Sequence, residues 1–66
     1  MKTANYWHDE MSEATARNVL GSSHFEWSIE QGASFCAGRA MGSWQANLQE
    51  SYGAYRTAER LAQQRQ

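Results

Sequence analysis

Apolar positions in this chain recur every three or four residues almost from end to end, which is the helical period. Trp7, Met11, Ala14 and Asn18 follow one another at spacings of four, three and four, with Tyr6 and Val19 widening the stripe. This predicts a first helix over about 3–20, with Thr3 or Asn5 at its N-cap. Its acids, Asp9, Glu10 and Glu13, lie early and Arg17 lies late, as the helix dipole favours. Gly21 then ends the helix. Ser23-His24-Phe25-Glu26 has the form of a capping box opening a second helix. From there Phe25, Ile29, Ala33, Cys36, Ala40, Trp44, Leu48, Tyr52, Tyr55, Ala58 and Ala62 keep one phase. The chain contains no proline to break that run. The pattern predicts an all-α helical hairpin whose second helix, over about 23–63, is long and bent. The alternative is a three-helix bundle broken at Gly42-Ser43. The tail 63–66 is expected to fray.

The middle of the second helix is apolar on more than one side. Phe25 to Trp44 holds only Glu26, Glu30 and Arg39 as charged residues. If it is one straight helix, Phe25, Ile29, Gly32, Ala33, Cys36 and Ala40 line one face. Trp27, Gly38 and Met41 lie opposite, with Phe35 beside them. The first face suits close packing within the fold. The second is too apolar for solvent and marks a surface for another chain. At 66 residues the chain has little material to cover both faces itself. Pairing of two hairpins into a four-helix homodimer is the simplest solution. The expected protein interface is Trp27, Phe35, Arg39, Met41 and Trp44, aromatic anchors with one charge beside them.

Composition narrows the function classes. A net charge of −1 argues against a dedicated nucleic-acid module. Arg56, Arg60 and Arg65 share the C-terminal segment and form the candidate contact for an anionic partner. They support the alternative reading, a small nucleic-acid-binding regulator. The single Cys36 allows no intramolecular disulfide, and the chain opens without the apolar core of a signal peptide, so a cytoplasmic location is expected. No uncharged apolar run approaches the roughly 20 residues of a membrane span. His8, Asp9, Glu10 and Glu13 do not fall at zinc-ligand spacing, so no metal is expected. Cys36 has no histidine and acid at a spacing that would make it a nucleophile. It reads as a small buried hydrophobe, with Arg39 three residues on as the one cation that could activate it. No cofactor loop is present, and no enzyme is expected.

In size and style the chain resembles the small helical accessory proteins of phages and mobile elements. With the apolar face read as an interface, the leading expectation is a non-enzymatic inhibitor or adaptor that binds itself and an unidentified host or partner protein.

Overall fold

A computed structural model describes residues 10–65 of the chain. These residues form four α-helices and no strand: α1 (Glu13–Leu20), α2 (Ser22–Gln31), α3 (Ala33–Gln45) and α4 (Gln49–Gln64). The all-α class is as the periodicity predicts. The division into elements is not, because the phase of the stripe runs through two helix breaks.

α1 starts later than expected. Ser12 is its N-cap, accepting from the Thr15 amide at 3.2 Å and donating to the Thr15 hydroxyl at 2.9 Å. The predicted caps Thr3 and Asn5 lie outside the described residues. Because the helix begins at Glu13, it buries Ala16, with Val19 and Leu20 packed behind it. Ala14 and Asn18, which the longer stripe turned inward, are exposed.

Gly21, at φ +87°, is the whole connection between α1 and α2. Its amide donates to the Arg17 carbonyl at 2.8 Å, and its own carbonyl accepts from the Phe25 amide at 2.9 Å. A one-residue link starts α2 at Ser22, so Ser23 already lies inside the helix. The predicted capping box does not form, and α2 has no side-chain cap. Glu26 turns instead to Arg17 and Arg65.

The long second helix is cut twice. Gly32, at φ 109° and ψ 168°, separates α2 from α3 in a backbone region essentially reserved for glycine. The second cut falls after Gln45. The Asn47 amide donates to the Trp44 carbonyl at 3.0 Å and the Leu48 amide to the Ser43 carbonyl at 2.8 Å. Asn47 itself sits at φ +62°. This is a Schellman C-cap with asparagine at the left-handed position. Gly42 and Ser43, where the alternative reading put a break, lie inside α3, and Ser43 is buried.

α4 is the axis of the fold and packs against each of the other three helices. Ala54, Ala58 and Ala62, spaced by four, give a smooth face on which Phe25, Ile29 and Cys36 close the core with Ala16. Tyr52, Tyr55 and Ala40 form a second cluster, joined to the first through Leu20. α4 stays helical through Gln64, and the Arg65 guanidinium donates to Glu26 at 3.2 Å. The expected fraying is therefore absent up to Arg65.

Candidate functional site

The α2–Gly32–α3 corner carries a continuous set of aromatic side chains. Trp27 on α2 meets Phe35 on α3 edge to face, with ring centroids 5.1 Å apart and planes at 86°. Such a pair contributes about 0.5–1.5 kcal/mol beyond burial. One turn before Trp27, the His24 ring lies 5.4 Å from the indole at 31°. His24 Nε2 in turn shares a 2.7 Å hydrogen bond with the Tyr55 hydroxyl on α4. One turn after Phe35, the Arg39 guanidinium sits 5.1 Å over the Phe35 ring. Arg39 and Tyr55 also line the same shallow groove of about 300 Å³, with Gly38, Gly42 and Leu48. Burial pushes the Tyr55 phenol up from its ordinary range, and the nearby Arg39 charge pulls it partly back.

Five side chains from three helices thus form one run of contacts, Tyr55–His24–Trp27–Phe35–Arg39, whose two ends line one groove. Trp27 is 43 % exposed, Arg39 is exposed, and Phe35 and His24 are half-buried.

Of the predicted interface, the structure brings together Trp27, Phe35 and Arg39. Met41 and Trp44 fall elsewhere. Met41, 51 % exposed, lies across α3 from Arg39, over a groove with Ala37, Ala40, Tyr52, Arg56 and Glu59. Trp44, 49 % exposed, is in the last turn of α3, beyond the aromatic corner. The reason is the break at Gly32. On an uninterrupted helix Trp27 and Met41 are in phase, and the break resets that phase. His24 and Tyr55 extend the run to α4. Their link joins residues 31 apart in sequence, so only the His24–Trp27 spacing was legible.

The C-terminal arginines do not form a free cationic patch. Arg56 lies 3.1 Å from Glu59 and donates to the Tyr52 hydroxyl at 3.0 Å. Arg60 is paired with Glu10, and Arg65 with Glu26. Each positive charge is matched by a carboxylate, which leaves little to attract a phosphate backbone.

Cys36 is fully buried and its thiol donates to the Ser28 carbonyl at 3.2 Å. Burial pushes the thiol up, and Glu59 adds to the shift, so the thiolate is disfavoured. Among the described residues no group of three His, Cys, Asp or Glu is placed to hold a metal ion. Nor is any helix long and apolar enough to cross a membrane. His8 and Asp9 lie outside the described residues. No protein-family model matches the chain, and no curated protein or solved structure matches it significantly.

Proposed function

We propose that this protein is a non-enzymatic interaction module that acts by occupying a surface on another protein chain, as an inhibitor or adaptor. The observation that carries the reading is the exposed Trp27, fixed between His24 and Phe35 and flanked by Arg39. Tryptophan and arginine are the residue types that most often dominate binding energy. Holding them in place before contact removes part of the ordering cost of association. The partner is a second copy of the chain or a host protein. An accessory role of the phage or mobile-element kind belongs to this reading. A buried, unpaired Cys36 suits a reducing cytoplasm.

The test is capture by immobilised protein from a lysate, comparing wild type with Trp27→Ala and Phe35→Asp. Met41→Ala, on the other flank of α3, is the control. Circular dichroism confirms that each variant keeps its helix content. The expected result is a retained protein, the chain itself included, that is lost from the first two variants and kept by the control. Identical retention by all four, or retention of nothing by the wild type, sinks the reading.

A further inference from the structure

The groove of about 300 Å³ between α3 and the start of α4 is a built space with open donors on its walls. Two exposed glycines of α3, Gly38 and Gly42, lie on it one turn apart. Nothing stands within 4 Å of a Cβ added at either, so the floor beside them is free. Arg39 lines the groove between them. Arg17, Arg56, Arg60 and Arg65 each pair with a glutamate, whereas Arg39 is the one arginine in no ion pair among the described residues. Its place over the Phe35 ring leaves all its N–H donors open.

Ser43 is an independent sign of a missing ligand. It lines the same groove and is only 8 % exposed, yet its hydroxyl has no hydrogen-bond partner among the described residues. A hydroxyl buried that far is costly unless something bonds it. The start of α4 adds a third donor set. Leu48, its N-cap, gives no side-chain cap, so the first amides of this 16-residue helix are open where Leu48 and Ser51 line the groove. Glu50, in that first turn, lines a neighbouring groove and not this one. The Tyr55 hydroxyl is already engaged by His24. The lining therefore carries one positive charge and no carboxylate.

Resting on the reading of this protein as a binder of another chain, we propose that the groove receives a carboxylate side chain of that partner, an aspartate or glutamate with an apolar neighbour. The carboxylate accepts from Arg39 and from the Ser43 hydroxyl, at the positive end of the α4 dipole. Its apolar neighbour lies on Leu48, which is 54 % exposed. A planar, singly charged carboxylate matches one guanidinium fork, whereas a phosphate monoester brings nearly two charges to a single cation. The groove is shallow and at the small end of the range for free ligands, which favours a side chain delivered by a larger molecule. It also adjoins the aromatic run at Arg39, so a partner lying on Trp27 and Phe35 reaches it.

The test is an amide NMR titration of the isotope-labelled full chain with the blocked tripeptide acetyl-Leu-Glu-Leu-amide. Saturable shifts are expected at Gly38, Gly42, Ser43 and Ser51, with millimolar affinity. The glutamine twin of the peptide is expected to bind about tenfold more weakly or worse, and Arg39→Gln to weaken the glutamate peptide as much. Ser43→Ala is expected to weaken it severalfold. Gly42→Met fills the groove without touching a charge and is expected to abolish binding. Methionine is a good helix former and Gly42 is exposed inside α3, so this variant keeps the fold, which the amide spectrum itself checks. No saturable shift in wild type, equal binding of the twin, or unchanged affinity in any of the three variants overturns the proposal. Inorganic phosphate that moves the same amides more tightly than the peptide makes this a free-anion site and overturns it too. So do shifts at these amides that follow protein concentration with no peptide present, which put a second copy there. Lysate capture lost in Trp27→Ala, with no response to the peptide, overturns the groove alone. A peptide response with capture indifferent to Trp27 and Phe35 removes the aromatic contact alone.

Discussion

Two buried hydroxyls show how differently a polar atom can sit in this core. Thr57 is fully buried, yet its hydroxyl donates to the Met11 carbonyl at 2.8 Å and accepts from the Met11 amide at 3.0 Å. One side chain satisfies both backbone groups of a residue 46 positions away, and fastens the segment before α1 to the middle of α4. Ser28 is equally buried, and its hydroxyl has no partner. Removing a satisfied hydrogen bond strands its partners, whereas removing an orphan relieves a desolvation cost. Thr57→Val keeps the shape and is expected to destabilise the fold by about 1–3 kcal/mol. Ser28→Ala is expected to stabilise it by about 1 kcal/mol. Urea unfolding followed by circular dichroism reads both, and equal signs would contradict the assignment. Neither role was legible in the sequence. Thr57 looks like an ordinary helix residue until Met11 is brought to it, and no spacing rule connects positions so far apart.

The elements owe their boundaries to three residues, and only one of them stood out in the pattern. Gly21 follows an apolar stripe and precedes two serines, so its role as a stop was readable. Gly32 and Asn47 were not, because the apolar stripe keeps its phase across both. Periodicity reports which side is buried; it is blind to a break across which that side stays buried, as where α2 and α3 both pack on α4, or where α3 and α4 pack on each other. Asparagine at a C′ position is a known signal, but it competes here with four glycines of stronger breaking tendency. The same substitution therefore has opposite signs at two glycines. Gly32→Ala forces a side chain into a glycine-only conformation and is expected to cost about 1–3 kcal/mol. Gly42 lies inside α3 with nothing within 4 Å of an added Cβ. Gly42→Ala is expected to add about 0.5–1 kcal/mol through helix propensity. Both are read against wild type at one fixed protein concentration, because any association would make the melting temperature depend on concentration. In a domain of this size each kcal/mol moves the midpoint by about 4–8 °C. A destabilised G42A or an unaffected G32A would place the helix boundaries elsewhere.

At the scale of the whole molecule, the helical class and most of the core follow from the stripe. Phe25, Ile29, Cys36, Ala40, Tyr52, Tyr55, Ala58 and Ala62 are buried as their phase requires, while Trp44 and Leu48, on either side of the Asn47 turn, are exposed. Three of the five predicted interface residues meet at one corner for the same reason: Trp27 is read within α2, and Phe35 with Arg39 within α3. What one stripe could not supply is the closure between chain ends, and this falls to Glu26. Its carboxylate accepts from Arg17 of α1 and from Arg65 after α4, so it joins α2 to both ends of the described chain.

That junction makes acid stability a measurable property of one residue. Hydrogen bonds from Arg17, and then from Arg65, hold the Glu26 carboxyl below its ordinary value of 4.5 in the folded chain. Its folded pKa thus lies below its unfolded one. The stabilisation is fully present above about pH 4.5 and is lost as pH falls through the lowered folded value, where both states bind the proton. Wild type and Glu26→Gln should therefore differ most in melting temperature near neutral pH and converge as the solution is acidified below about pH 4.5. Added salt should narrow the difference at neutral pH, since Glu26 and both its partners are partly exposed to solvent. Parallel curves across that pH range would mean that the Arg17–Glu26–Arg65 junction is geometry without energetic consequence. The closure of the fold would then rest on the Thr57 clamp and the alanine face of α4.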